Sequence, residues 1–139
     1  MSDLELAWAA GLFEGEGTIS INKAHTKHLS TLRCMVGNTD FEVVQFFLQR
    51  WGGHWHEVKA SGNKRTAWKW SIAATKAARF INDIAPYIRT KRVKEKAILG
   101  IEFQAQKSLS NKVRRSEEYR KRQLSFYLRM KELNVRGTH

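Results

Sequence analysis

Near its amino terminus the chain reads LAWAAGLFEGEGTISI, Leu6 to Ile21, and this stretch restricts the fold more than any other. Ser2 followed three positions on by Glu5 has the form of a capping box. The small and apolar residues behind it predict a helix from about Asp3 to Gly15, with Gly17 closing it in the left-handed conformation. From Thr18 the period drops to two: Thr18, Ser20 and Asn22 alternate with Ile19 and Ile21, the pattern of a half-buried strand. Ala7, Gly11 and Gly15 recur at intervals of four with Ala10 beside them, so one helix face is nearly bare. The two glycines cost helix propensity and call for a packing reason. Glu14 and Glu16, meanwhile, stand at the end of the helix where its dipole disfavours acids.

Two explanations fit these residues. In one, a glycine-rich helix packs beneath its own sheet and both carboxylates are solvated. In the other, two such helices pack against each other and bring a Glu from each to one spot, among backbone carbonyls with no side-chain bulk. That oxygen-rich site suits Mg²⁺, a hard cation that completes its shell with water and phosphate. The metal would also reverse the local sign on a surface meant for DNA.

The pattern continues along the chain. Thr31, Arg33 and Met35 alternate with Leu32, Cys34 and Val36, making a hairpin with the first strand across a loop at 24–28. Asp40 is placed to cap a helix from Phe41 to Trp51, with Val44, Phe47 and Leu48 on its apolar face and Gly52-Gly53 as its stop. A second hairpin is predicted from His54–Lys59 and Arg65–Ala73, with Trp68, Trp70 and Ile72 inward and Lys69 and Ser71 outward. Trp8, Trp51 and Trp55 also read as core. A helix from Thr75 to Ile84 is interrupted by Pro86, and another follows with Ile98, Ile101 and Ala105 as its stripe. Leu124, Tyr127, Leu128 and Met130 give the last segment a helical face. The order is αββαββα with extra carboxyl-terminal helices, an α+β class with an antiparallel sheet. It is read as one domain, 1–139, with a core at about 3–106 and a basic extension at about 107–136.

Composition narrows the partner. Against 13 Asp and Glu the chain carries 25 Lys and Arg, a formal charge of +12, which in a compact domain points to a polyanion. No run of about 18 apolar residues and no charged-then-apolar leader is present, so a soluble, intracellular protein is expected, bound to nucleic acid rather than to membrane. Cys34 stands alone, which excludes an intrachain disulfide and a cysteine-rich zinc site.

Ala9 to Gly17, AAGLFEGEG, resembles the motif of the LAGLIDADG homing endonucleases, and the order of elements up to about Ala105 is similar to that family's core. Ala9 replaces the usual Leu, and both acids are Glu rather than Asp, which keeps the charge on a longer arm. The resemblance implies an intron-encoded, single-motif DNA endonuclease that works as a homodimer. It would seat a long target on a saddle-like sheet, cut both strands across the minor groove and leave 3′ overhangs. On that basis Glu16 is the metal ligand of each subunit with the Gly15 carbonyl beside it. The metal is Mg²⁺, with Mn²⁺ as a substitute, and Glu14 supports the helix end and the interface. Ala7, Ala10, Gly11 and Glu14 would line the interface. Lys91, after APYIRT, and Asn38, after CMVG, match the family's basic and polar residues near the scissile phosphate, although Lys91 and its basic neighbours could equally touch backbone phosphates. Two rival readings share the scaffold: a maturase for its host intron RNA, and a catalytically inactive DNA-binding regulator. The intact acids favour cleavage.

A two-stranded ribbon fits the major groove, so outward hairpin residues are the natural base readers. Ser20, Asn22, Thr31 and Arg33 are assigned to the first hairpin, and Lys59, Arg65, Lys69 and Ser71 to the second. The basic tail would add phosphate contacts and salt dependence.

Overall fold

The computed structural model describes residues 1–23, 30–63, 65–107, 109 and 116–135. Its elements are α1 (Asp3–Glu16), β1 (Gly17–Asn22), β2 (Thr31–Asn38), α2 (Phe41–Trp51), β3 (His54–Val58), β4 (Ala67–Ala73), α3 (Ala74–Ile84), a 3₁₀ turn (Ala85–Tyr87), α4 (Lys91–Gln106) and α5 (Glu117–Asn134). The expected αββαββα order is present, with α5 added. The strands form one antiparallel sheet in the order β1-β2-β4-β3. The loop expected at 24–28 lies outside the described residues.

The period-two pattern decides which face of the sheet is covered. Ile19, Ile21, Leu32, Cys34, Val36, Trp70 and Ile72 are buried, and they pack with Phe13 of α1, Phe47 of α2, Phe80 and Ile81 of α3, and Ala97 and Phe103 of α4. Aromatic edges knit this layer together: the Trp70 ring lies 5.0 Å from Phe47 and 5.1 Å from Phe80, and Phe13 lies 5.1 Å from Phe80. The Trp70 indole N–H is satisfied by the Gly52 carbonyl at 2.7 Å. Gly52 stops α2 at φ 76°, a conformation that only glycine adopts cheaply.

Several local details differ from the pattern. Gly17 is extended, at φ −98°, and opens β1 directly, while its N–H closes α1 on the Phe13 carbonyl. Its lack of a side chain serves close packing instead: a Cβ there would lie 2.7 Å from the Phe13 carbonyl oxygen and closer still to the Phe13 ring. Asp40 stands at the N-cap of α2 without a side-chain cap bond, and its own N–H is taken by Asn38 Oδ1 at 2.8 Å. Strands β3 and β4 are shorter than expected, because their ladder ends at Val58 opposite Ala67. Trp8 and Trp55 are about half exposed, and Trp68 is only partly buried against Phe41.

The two carboxyl-terminal helices turn differently from their apolar patterns. On α4 the buried residues are Ala97, Gly100 and Phe103, while Ile98 is 57% exposed. Close approach selects the small residues: a Cβ on Gly100 would come within 3.0 Å of Leu32 and 3.3 Å of Ile81. On α5, Tyr119, Gln123 and Met130 are buried, and Leu124 and Leu128 are 50% and 52% exposed. The edge contact of Phe126 with Phe103 at 5.8 Å sets that rotation.

Steric crowding at Gly17, rather than backbone torsion, gives a clear expectation. Gly17→Ala should destabilise the fold by about 1–3 kcal/mol in urea unfolding. A neutral result would show that Phe13 can yield.

Candidate functional site

Helix α1 is anchored at its start: Ser2 caps it through Oγ to the Glu5 N–H at 3.2 Å, and the Tyr87 hydroxyl donates to Asp3 at 2.7 Å. The Glu5 carboxylate turns to Arg50 of α2, whose Nε donates to it at 2.9 Å. At the other end Glu14 is only partly exposed, and both its oxygens are engaged. Its Oε1 accepts from the Arg89 N–H at 2.8 Å, and its Oε2 accepts from the Thr90 N–H at 3.0 Å and the Thr90 hydroxyl at 2.7 Å. Desolvation pushes the Glu14 pKa up, but these hydrogen bonds and the Arg89 charge together outweigh it and hold the carboxyl below its ordinary value. The end of α1 is thereby tied to the turn that opens α4.

This tie brings the expected site residues to one end of the sheet. Glu16 follows Glu14 by two residues and is exposed, with no hydrogen bond or ion pair among the described residues. Lys91 follows Thr90 and is the exposed first residue of α4. Gly17 pairs with Val36, and β2 runs two residues beyond that to Asn38 at the same end. Since the Gly17 N–H closes the helix on Phe13, the Gly15 carbonyl lies past the last intrahelical donor.

With the Glu14 oxygens already engaged, the donors left here are the Glu16 carboxylate and the Gly15 carbonyl. Both are hard oxygens, which suits Mg²⁺ in kind but falls short in number. Among the described residues no group of three or more His, Cys, Asp or Glu side chains is gathered to hold a metal. The donors thus fit a hard cation in chemistry, and one chain supplies only part of its shell from the described residues.

The outer face of α1 is apolar and open. Leu4 is 84% exposed and Trp8 48% exposed, and Ala7, Gly11 and Gly15 are exposed beside them, so the face carries no charge. Cβ atoms added at Gly11 or Gly15 would meet nothing within 4 Å. Nothing among the described residues accounts for either glycine. Ala10, expected on this face, is instead fully buried in the chain's own core with Ala9 and Phe13, because the face opposite the bare stripe packs on the sheet.

On the uncovered sheet face Ser20 pairs with Arg33, and Asn22 with Thr31, as one ribbon. Lys69 is exposed on β4. Ser71 is only 9% exposed, since it is flanked by Met35 on β2 and His54 on β3. Lys59 and Arg65 lie in the connection beyond the ladder, not on strands. Register adds two residues that the sequence reading overlooked: His54 opposite Ser71 and His56 opposite Lys69, both exposed on this face. The alternation in His54-Trp55-His56 was the available signal. Cys34 is buried and its thiol pKa is pushed up by desolvation, which leaves it an inert core residue.

No family model matches the sequence, and no curated protein sequence matches it. Solved structures do. The archaeal intron-encoded homing endonuclease I-Vdi141I, complexed with DNA, superposes with a TM-score of 0.76 at 16% identity, covering 99% of this chain and 88% of that one. I-CvuI, solved with its target in the presence of calcium, gives 0.73 at 14% identity, covering 98% and 85%. The LAGLIDADG homing endonuclease I-SmaMI, bound to cleaved DNA, gives 0.63 at 16% identity, covering 97% of this chain but 45% of that one. The chain has the fold of the LAGLIDADG homing endonucleases. In this LAGLIDADG fold AAGLFEGEG forms the last turns of α1 and the first residue of β1. No described helix is long and apolar enough to cross a membrane.

The Glu14 contacts carry a definite sign with pH. A carboxyl whose folded pKa lies below 4.5 contributes stability that is present above that value and lost as pH falls through the folded pKa. Glu14→Gln should lower stability at pH 7 by about 1–3 kcal/mol. The two proteins should converge in acid in urea titrations, and parallel pH profiles would contradict this role.

Proposed function

We propose that the chain is a site-specific DNA endonuclease that acts as a homodimer with a divalent metal. The observation that carries this reading is the exposed Glu16, unpartnered among the described residues, at the end of a helix whose uncharged outer face has glycines that no described residue packs against. Paired through that face, two copies would place two Glu16 carboxylates and two Gly15 carbonyls together. The length relation with I-SmaMI supports the pairing, since this chain spans 45% of that one. The DNA-bound neighbours and the net charge of +12 support double-stranded DNA as substrate.

In this reading Ser20, Asn22, Thr31, Arg33 and Lys69 face the major groove, with His54 and His56 beside them, and the scissile phosphates lie across the minor groove at the paired motif ends. Bound Mg²⁺, or Mn²⁺ in its place, supplies phosphate polarisation, an activated water and stabilisation of the leaving oxygen. Glu16 and the Gly15 carbonyl hold it. Lys91 places an ammonium beside the developing charge on the phosphate, and Asn38 offers its amide N–H there while its Oδ1 is engaged by Asp40. Glu14 holds the turn that carries Lys91. No protein nucleophile is needed, and the cut ends carry 3′ overhangs.

Incubation with a randomised DNA library, with Mg²⁺ and then with EDTA, followed by sequencing of cut ends, tests the activity. Metal-dependent cuts at one sequence are expected. Binding without cutting would favour the regulator, and in a parallel incubation with an RNA library selective retention of RNA would favour the maturase. Glu16→Gln should abolish cleavage while target affinity changes little; normal nicking by that variant would overturn the metal assignment. Gly11→Leu should shift the protein from dimer to monomer by light scattering, and an unchanged dimer would move the interface elsewhere.

A further inference from the structure

The carboxyl-terminal helix ends against the candidate site. Arg92, next to Lys91, does not reach outward for phosphate: its Nε donates to the Leu133 carbonyl at 2.6 Å and its Nη2 to the Val135 carbonyl at 3.3 Å. Carbonyls at the end of a helix lack intrahelical donors and carry partial negative charge, so a guanidinium fork answers both needs. Between those two residues, Asn134 Nδ2 donates to the Ile19 carbonyl at 2.8 Å, on β1 three residues past Glu16. Further back along α5, Arg129 pairs with Glu95 of α4 at 3.2 Å, and Met130 is buried. The first turn of α4 is thus held twice. Glu14 grips Arg89 and Thr90 on one side of Lys91, and α5 grips Arg92 on the other.

We propose that α5 is a positioning element of the catalytic site, in which Arg92 and Asn134 fix Lys91 relative to Glu16. This rests on the nuclease reading above. The physical case is that Lys91 has a long, exposed side chain, so only its backbone can be placed in advance, and the residues on either side place it. Reacting groups misplaced by about 1 Å cost on the order of 100-fold in rate. The net basic composition of the segment pointed to phosphate contacts, or else to a solvated helix that binds nothing. At this end of α5 the contacts are instead internal, with Arg92 and Asn134 donating to backbone carbonyls.

The test compares the full chain with Arg92→Gln, Asn134→Ala, Arg92→Lys and, as a control for α5 docking alone, Arg129→Gln. Single-turnover cleavage at saturating protein is measured in Mg²⁺, target affinity in Ca²⁺, and the thermal midpoint in parallel. Arg92→Gln and Asn134→Ala should cleave about 10- to 100-fold more slowly with affinity unchanged within about twofold. Arg92→Lys should recover part of the rate, and Arg129→Gln should lower the midpoint without slowing cleavage. Unchanged rates in both primary variants, or equal losses of rate and affinity, would overturn the proposal. A wild-type protein that binds a target but never cuts it would instead sink the nuclease reading. In that case amide exchange at Lys91–Lys94 decides the clamp by itself: faster exchange in Arg92→Gln supports it, and unchanged exchange removes it.

Discussion

The carboxylate of Glu14 joins the end of α1 to a turn 75 residues later in the chain, and the geometry of the candidate site depends on that junction. An acid at the carboxyl end of a helix is opposed by the helix dipole, a cost of a few tenths to about 1 kcal/mol. Two backbone N–H groups and a hydroxyl, all donating to a charged acceptor, more than offset it. They also satisfy N–H groups at the start of α4 that have no intrahelical partner. One side chain therefore resolves an electrostatic misfit on α1 and a hydrogen-bonding deficit on α4. Without it, Lys91 would lose one of the two grips on the turn that places it relative to Glu16.

Helix α1 serves two surfaces at once. Ala9, Ala10 and Phe13 face inward, where small residues let the helix lie close on β1 and where Gly17 makes room for the Phe13 ring. Leu4, Ala7, Trp8, Gly11 and Gly15 face outward, where none of the described residues packs against the glycines. Both glycines carry a helix-propensity penalty of about 1 kcal/mol each, and no packing among the described residues offsets it. Helix α5 lies along the β1 edge, where Asn134 donates to the Ile19 carbonyl, and is joined to α4 by Arg92, which donates to the Leu133 carbonyl. A strand edge that would otherwise expose unpaired backbone groups is partly covered in this way.

The hairpins were legible in the sequence because a strand buried on one face declares itself by alternation: Ile19, Ile21, Leu32, Cys34 and Val36 are the inward set, as their spacing predicts. The helices were less so. Helical spacing identifies a stripe but not which of two adjacent stripes meets the sheet, and for α4 the tighter one wins, with Ala97 and Gly100 inside and Ile98 out. Ala10 shows the same ambiguity, since a small residue suits a core and an interface equally well. Lys59 and Arg65 were misplaced because a strand ends where its ladder ends, and the last pair, Val58 with Ala67, depends on the partner strand. Ser71 points outward by parity yet is covered, because burial in a sheet also depends on the residues across from it.

By itself the sequence determined the order of elements, the buried face of each hairpin and the identity of the motif that ends in Glu14-Gly15-Glu16-Gly17. Those features are written in short-range periodicity and in residues whose charge or size is unusual for their place. Only the tertiary structure decided what the unusual residues do. It gave Glu14 the Arg89-Thr90 turn, put Ala10 in the core and turned Arg92 from a phosphate contact into a grip on the last carbonyls of α5. Each of these is a contact between residues far apart in the chain, and a hydrogen bond's direction is set by where its partner lies, which no local pattern encodes.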